Sequence, residues 1–358
     1  MKSRLCQWEH GSEFHLAMEW GGGGGPDLPA DADLYGSGRD ALRSLLTFGS
    51  RVHGWRTLWV PSYFCQTVIR DISMPGLEVR AYGDGPLDSE RDPVNLSHEG
   101  PGTVLTLNPF GLRTEARPLI LDRSRHWVIE DHTHDPWSPM VRRSSADYCF
   151  ASLRKTIPIP DGGMLWSPIG RPLPSCPPPT KERTVASTWK LAGMALKGLY
   201  VDGHHADKAL FRGLLVAGEA NIASGDISGM PYRTRDLLQG FSARAWRDRR
   251  IRNHAEAVME LQGCPDLKII GATSKECAPF TLFLVLSTEG LRNGLRQNLI
   301  DSHIFPAVLW SLEAPAISQI REIDLDLSRR SLCLHCDARY RHNNMVRVAD
   351  AIQDYMRS

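Results

Sequence analysis

The chain has 358 residues, 42% hydrophobic and 23% charged, which is the composition of an ordinary soluble protein with room for two domains. Its 42 basic and 41 acidic residues leave a formal net charge of +1, which excludes a general attraction to nucleic acid or anionic membranes. No apolar run is long enough to span a bilayer, and no apolar stretch follows Lys2 and Arg4 to form a secretory signal. We therefore expect a cytoplasmic enzyme.

The first part of the chain predicts an arm followed by alternating helices and strands. Residues 1–35 form the arm, with a flexible break at glycines 21–25. A helix is predicted at 37–47, where Leu42, Leu45 and Leu46 share one face, and a second at 66–72. Strands are predicted at 57–61, 77–82, 103–107 and 127–130. This alternation favours an α/β domain of three layers, α/β/α, with a mainly parallel sheet.

The second part of the chain changes character twice. Six prolines between residues 168 and 179 predict a loop, and long amphipathic helices are predicted at 182–200 and 232–261. A smaller α+β region follows, with strands at 278–286 and 330–335 and helices at 289–299 and 343–356. We therefore predict an arm (1–35), a large domain (36–236) and a small C-terminal domain (237–358).

A lysine in an unusual neighbourhood is the first candidate for chemistry. Lys155 follows a β-like run and precedes a constrained turn, in the segment YCFASLRKTIPIPDGGMLW. An enclosed lysine has a lowered pKa and can act as nucleophile and general base. Most single lysines lie in solvent, but the context of Lys155 favours a functional role.

Two further features match the needs of pyridoxal phosphate. Asp131 ends the apolar run of VIEDHTHD, where its carboxylate needs a cation such as a protonated pyridine nitrogen. A strand-end aspartate also occurs as a plain turn residue. Ser37 and Gly38 open a helix whose free amides and dipole suit a phosphate, although any N-cap serine looks the same.

Other polar groups stand at suitable spacing. Ser152 lies three residues before Lys155, so its hydroxyl could reach the same phosphate. Arg39 and Arg154 are possible charge partners for that phosphate or for a substrate anion. The sequence therefore offers an amine, a carboxylate and an anion-binding turn in one half of the chain.

The order of these motifs resembles a known family. The segments GSGRDAL, VPSYFCQT, NPFG, VIEDHTHD and SLRKTIPIPDGG, between about residues 36 and 166, look like those of the DegT/DnrJ/EryC1/StrS aminotransferases. These are fold-type-I pyridoxal phosphate enzymes, many of which aminate nucleotide-linked keto-sugars. The resemblance implies that fold, that cofactor, and a homodimer with sites at the subunit interface.

The resemblance also implies roles for individual residues. Lys155 would form the Schiff base, Asp131 would meet the ring nitrogen, and His134 would lie near the ring hydroxyl. An aromatic residue that covers the ring would be Tyr63 or Phe64. Together, the residues and the resemblance give this candidate cofactor-binding set: Ser37, Gly38, Arg39, Tyr63, Phe64, Asp131, His134, Ser152 and Lys155.

The sequence departs from the family at two places. Arg39 stands where the family has threonine in its phosphate-binding turn. Residues 228–237, SGMPYRTRDL, lack the asparagine with which the family reaches the partner's cofactor phosphate. Tyr232 or Arg233 is the candidate replacement in this chain.

Three other functions compete with transamination. A metal-dependent hydrolase could use Asp131, His132 and His134, but this leaves Lys155 unexplained. A pyridoxal phosphate enzyme of the same fold could catalyse elimination, and a non-enzymatic relative could keep the fold. The cysteines of CLHC, Cys333 and Cys336, have no further ligands at zinc-finger spacing and fit a buried strand.

We therefore predict an aminotransferase that moves an amino group from an amino-acid donor to a keto or aldehyde acceptor through a Lys155 Schiff base. The acceptor would be a nucleotide sugar or a small biosynthetic intermediate.

Overall fold

The computed structural model describes residues 8–11, 13–16 and 25–357. The glycines at 21–24, for which the sequence predicts a flexible break, lie outside the described residues. The β-strands in chain order are β1 (His10–Gly11), β2 (Asp33–Tyr35), β3 (Thr57–Pro61), β4 (Glu78–Tyr82), β5 (Val94–Asn95), β6 (Gly102–Leu107), β7 (Leu119–Ile120), β8 (His126–Asp131), β9 (Tyr148–Ser152), β10 (Gly163–Trp166), β11 (Leu267–Ile270), β12 (Leu282–Leu286), β13 (Ile304–Phe305) and β14 (Ser331–Leu334).

The α-helices in chain order are α1 (Gly38–Val52), α2 (Gln66–Ile72), α3 (Pro139–Arg143), α4 (Lys181–Val201), α5 (Lys208–Ser224), α6 (Tyr232–Gln239), α7 (Ala243–Glu260), α8 (Glu289–Asp301), α9 (Glu322–Arg330) and α10 (His342–Arg357). Single 3-10 turns cover Pro109–Gly111 and Leu153–Lys155. None of the described helices combines the length and the apolar character needed to cross a bilayer.

A seven-stranded sheet forms the centre of the fold, in the order β2-β10-β9-β8-β6-β3-β4. The five strands from β9 to β4 run parallel. At one edge, β10 is antiparallel to both of its neighbours, β9 and β2, so β2 runs in the same direction as the five. This confirms the mainly parallel sheet. Because β2 is part of it, the chain enters the main sheet before the end of the predicted arm.

Both faces of the sheet are covered. On one face, Leu42, Leu45 and Leu46 of α1 pack against β-strand residues such as Ile129 and Phe150. On the other, Cys149 and further strand residues pack against residues near and within α6 and α7. The amphipathic pattern of α1 thus produces the helical layer expected from its leucines.

A second, antiparallel sheet lies in the C-terminal part, in the order β11-β12-β14. Helices α7, α8 and α10 contribute to its core, which includes Ala257, Leu295 and Ile352. The short arm strand β1 pairs with β13 of this region. The predicted α+β character is confirmed, and the domain limits at residues 35 and 236 stay predictions.

The long helix predicted at 232–261 is wrong in one respect. Two helices, α6 and α7, occupy this range, with Gly240 as the C-cap of α6. Phe241 is buried in the turn between them. Glycine has a low helix propensity, and burial of the Phe241 ring holds the chain in the turn between the two helices. Helix α5 was not predicted from the sequence.

Candidate cofactor site

Asp131 stands at the carboxyl end of the central strand β8, opposite Leu107 of β6 and Phe150 of β9. Its Oδ1 accepts a hydrogen bond from the Thr133 amide at 2.8 Å. No ion pair to Asp131 forms among residues 8–11, 13–16 and 25–357. Loss of hydration raises the pKa of this carboxyl group above its usual value. The site therefore presents a carboxylate that lacks a cation.

Thr133 connects Asp131 to the next strand. Its hydroxyl oxygen accepts a hydrogen bond from the Ser152 amide at 3.0 Å. Ser152 in turn lies against the start of α1, since a Cβ atom on Gly38 would come 2.8 Å from the Ser152 Cβ. The ends of β8 and β9 and the start of α1 thus meet, and the predicted contacts of Asp131, Ser152 and Gly38 with a cofactor stay predictions.

Ser37 is the N-cap of α1. Its hydroxyl accepts from the Asp40 amide at 3.1 Å and donates to the Asp40 carboxylate at 2.9 Å. The buried Arg183 holds that carboxylate at 2.7 Å. These contacts fix the first turn of the helix, where amides and the helix dipole favour an anion. Direct contact of the Ser37 hydroxyl with a phosphate stays a prediction.

Arg39 forms an ion pair with a side chain of the neighbouring helix α2. Its guanidinium group pairs with Asp71 of α2 at 2.9 Å, and both side chains are partly exposed. Arg39 therefore joins α1 to α2 in this structure. A contact between Arg39 and a phosphate stays a prediction.

Lys155 ends the 3-10 turn that follows β9, three residues beyond Ser152. Its side chain reaches solvent, although surrounding protein groups restrict the hydration of its amine. The positive charge of Arg154, followed by this loss of hydration, lowers the pKa of Lys155 to about 8. Lys155 therefore carries a much larger neutral fraction at neutral pH than an ordinary lysine.

Arg154 forms an ion pair with Glu219. Its two terminal nitrogens donate to the two carboxylate oxygens of Glu219 at 2.9 and 2.7 Å. Lys190 also donates to Glu219, at 2.7 Å. Arg154 thus acts on Lys155 through its charge, and its suggested role as a direct phosphate partner stays a prediction.

Replacement of Glu219 by glutamine is expected to lower both the stability of the fold and the pKa of Lys155. It leaves the Arg154 and Lys190 side chains, 6% and 3% exposed, without their shared anion. Removing one partner from a buried pair costs about 3–5 kcal/mol; because Glu219 is 32% exposed, we expect roughly 2 kcal/mol. The pKa of Lys155 should also fall below about 8, because the Glu219 charge raises it.

Urea unfolding measures the change in the free energy of unfolding. The pH dependence of Lys155 labelling by an amine-reactive compound measures the change in its pKa. Glu260→Gln, at an exposed position, is the control. An unchanged labelling midpoint in Glu219→Gln would contradict the electrostatic coupling.

His134 lies in a buried aromatic cluster beside this site. Its ring stacks on Phe110 with centroids 5.1 Å apart, and its Nδ1 accepts from the Phe110 amide at 2.9 Å. Phe110 adopts φ 54°, a left-handed conformation that is unusual for a bulky residue. Loss of hydration lowers the pKa of His134 to about 4, so this imidazole is neutral at pH 7.

Tyr63 and Phe64 are both buried. Tyr63 donates its hydroxyl to the Leu309 carbonyl at 2.8 Å and packs with Phe110 and Phe283. Phe64 belongs to the core beneath α1 and α2. The structure therefore shows packing roles for both aromatic rings, and the cofactor-ring contact stays a prediction.

The metal site suggested by Asp131, His132 and His134 is wrong. His132 bonds through Nε2 to Glu130 at 3.0 Å, whereas His134 belongs to the aromatic cluster. Among the residues that the structure describes, the one group of three possible ligands is Glu130, His132 and Cys149. Alternation along β8 separates Asp131 from Glu130, so His132 meets Glu130 and the three residues Asp131, His132 and His134 do not converge.

Thr133 and Glu219 belong to the site in the structure and were not predicted from the sequence. Thr133 sits two residues after Asp131, a spacing typical of an aspartate that bonds to its own backbone, so this contact had a local signal. Glu219 lies 65 residues from Arg154 on a different helix. Only the packing of α5 against α4 brings it to the site, and no sequence pattern marks it.

Comparisons with known proteins place this geometry in a wider context. No family model matches the chain, and no curated protein matches it in sequence. DesI, solved with its TDP-sugar product, matches with a TM-score of 0.54 at 16% identity, over 91% of this chain and 80% of DesI. The sugar aminotransferase CalS13 from Micromonospora echinospora gives 0.54 at 14%, over 90% and 87%.

A NifS-like protein gives a TM-score of 0.50 at 13% identity, over 91% of this chain and 82% of that protein. The chain has the fold of the fold-type-I transferases. The fold class expected from the sequence is therefore confirmed. In this chain, Asp131, Ser152 and the start of α1 lie together beyond the carboxyl ends of the parallel strands, the usual ligand edge of such sheets, and Lys155 ends the turn that follows β9.

Proposed function

We propose that the chain is a pyridoxal-phosphate-dependent aminotransferase. The observation that carries this proposal is the Asp131 carboxylate, which lacks an ion-pair partner among the described residues and is hydrogen-bonded through Thr133 to the strand that leads to Lys155. A strand-end carboxylate with a raised pKa needs a cation, and a protonated pyridine ring is one. The fold shared with DesI and CalS13 supports the same function.

The residues present fit this cofactor. Lys155 would hold it through its amine, Asp131 would pair with its ring nitrogen, and the start of α1 with Ser152 would face its phosphate. When bound, pyridoxal phosphate supplies an electron sink for the electrons released from an amino acid. The protein supplies the acid–base groups and the binding.

Lys155 is the residue that would transfer the proton. With a pKa of about 8, about a tenth of its amine is neutral at pH 7, far more than for an ordinary lysine. The neutral Nζ can take a proton from the α-carbon of an amino-acid donor, and the resulting ammonium can return it. The ionised Asp131 keeps a proton on its partner nitrogen during this transfer. The neutral His134 offers a hydrogen bond without adding charge to the site.

The acceptor is proposed to be a keto or aldehyde compound, and a nucleotide-linked keto-sugar is the first candidate. The support is the match to DesI, which was solved with a TDP-sugar product. The runner-up is an elimination reaction on the same cofactor, since the NifS-like match shows that the fold is not confined to sugar aminotransferases. The predicted cytoplasmic homodimer stays a prediction, which light scattering can test for the subunit number.

A spectroscopic titration tests the function. The purified protein with pyridoxal phosphate should show a visible absorption band that glutamate or another amino donor bleaches. Addition of a keto acceptor should restore the band. A band that never forms would contradict the cofactor. A band that persists while an amino acid with a leaving group on its β-carbon, such as serine, is converted to ammonia and a keto acid would favour elimination.

A further inference from the structure

Three possible metal ligands cluster on the sheet outside the cofactor site. His132 Nε2 lies 3.0 Å from Glu130 Oε2, and Cys149 Sγ lies 3.9 Å from the same oxygen. All three ligand atoms lie within 4.8 Å of one another. The side chain of His132 is nearly inaccessible, and Cys149 is fully buried. The nitrogen, oxygen and sulfur atoms thus converge on one point with little space between them.

This cluster and the cofactor site lie on opposite faces of β8. Ile129 packs with Phe150 and α1 on one face, whereas Val128 packs with Cys149 on the other. Side chains alternate along a strand, so Asp131 belongs to the face of Ile129, and Glu130 belongs to the face of Val128. The cluster is therefore a separate site that shares two strands with the first.

We propose that Glu130, His132 and Cys149 bind a divalent transition-metal ion, with zinc as the best match. Zinc takes carboxylate oxygen, imidazole nitrogen and thiolate sulfur in one tetrahedral shell. Its bond lengths of about 2.0–2.3 Å imply ligand atoms roughly 3.3–3.8 Å apart. Two observed separations, 3.0 and 3.9 Å, lie just below and just above that range, and the His132 and Cys149 atoms lie within 4.8 Å of each other, so side-chain shifts are needed to complete the shell. Sulfur and nitrogen ligands disfavour magnesium and calcium.

Charge balance supports the assignment. A carboxylate, a thiolate and a neutral imidazole neutralise a dication, which suits a site with two nearly inaccessible ligands. On binding, the Cys149 thiol gives up its proton to solvent and forms a sulfur–metal bond. His132 binds the metal through the Nε2 lone pair, so its neutral ring carries the proton on Nδ1. Atoms and charge are then conserved without any oxidant or reductant.

The site has room for a fourth ligand. Glu130 and Ser144 line a cavity of about 400 Å³, and the Ser144 hydroxyl lies 3.3 Å from Cys149 Sγ. A water molecule from this cavity, or the serine hydroxyl, can occupy the fourth position. Three protein ligands with one open position is the arrangement of zinc sites that exchange a ligand.

Cobalt binding to the cofactor-free protein tests the proposal. With Co²⁺ alone as the probe, we expect one ion per chain and a near-ultraviolet charge-transfer band from a cobalt–thiolate bond. Zn²⁺ should displace the cobalt and abolish the band. Cys149→Ala should remove the band, and Glu130→Gln should weaken binding at least about 100-fold, beyond the usual cost of losing a group outside the ligand shell.

Two controls make the outcome specific. Cys277→Ala removes another buried thiol and should leave the band unchanged. Lys155→Ala should also leave it unchanged, which separates this site from the cofactor site. Wild-type protein that binds no cobalt, a band that survives in a folded Cys149→Ala variant, or an unchanged cobalt affinity in a folded Glu130→Gln variant overturns the proposal. The cluster would then be a hydrogen-bonded core group only.

Discussion

Lys155→Ala should abolish covalent binding of pyridoxal phosphate and lower kcat by about 10⁴-fold or more, since the variant loses the nucleophile and the general base together. The cofactor can still contact Asp131 and the start of α1, so a weaker, non-covalent complex is expected. Borohydride reduction followed by mass spectrometry measures the covalent part. Wild-type protein should gain the mass of the cofactor on Lys155, and the variant should gain none.

Added methylamine should restore part of the activity of Lys155→Ala, because a small amine can replace the missing base. Such rescue separates a chemical role from a structural one. The exposed Lys275→Ala is the matched control and should behave as wild type. Cofactor attachment in Lys155→Ala that equals the wild-type level would remove the basis of the proposed function.

Asp131→Asn should lower kcat by roughly 10³-fold, comparable to the loss of one group that stabilises charge in a transition state. The amide oxygen can still accept the Thr133 hydrogen bond, so the local fold is kept. The amide cannot keep a proton on the pyridine nitrogen, so the electron sink is weakened. Steady-state kinetics with saturating cofactor measure the loss.

Although Asp131→Asn should lower kcat, it should not lower the stability of the cofactor-free protein at pH 7. Burial raises the pKa of Asp131 in the folded chain above its ordinary 3.8. The folded state therefore holds this proton more tightly, and the free energy of unfolding falls as pH rises from about 4 through the folded pKa. Asparagine has no such loss, so the cofactor-free variant should be at least as stable as wild type at pH 7.

Thermal unfolding with and without cofactor tests this pair of effects. Cofactor should raise the Tm of wild type more than that of Asp131→Asn. At pH 3–4 the two cofactor-free proteins should differ least. The exposed Asp236→Asn serves as the control. A cofactor-free variant that is clearly less stable than wild type at pH 7 would mean that the Asp131 carboxylate stabilises the fold, which contradicts a site built for an external cation.

Local sequence signals predicted the elements that hold the site. The strands around Thr57–Pro61 and His126–Asp131 and the helix Gln66–Ile72 appear where the pattern placed them. Each contains a short apolar run bounded by turn residues, so near neighbours in the chain decide its structure. The prediction of a single helix over residues 232–261 was wrong, because Gly240 and the buried Phe241 interrupt it. The spacing of apolar residues does not reveal such an interruption.

The sequence by itself determined the fold class, the strand-end position of Asp131 and the turn that carries Lys155, because these follow from alternation of short elements and from the parallel order of strands. Only the tertiary structure decided which charges surround the lysine. It brings Glu219 to Arg154, turns Arg39 toward Asp71, and assigns Glu130 and Asp131 to opposite faces with different partners. The reason is physical: a side chain meets its partners through packing of distant helices and strands, and the spacing of residues along the chain does not contain that information.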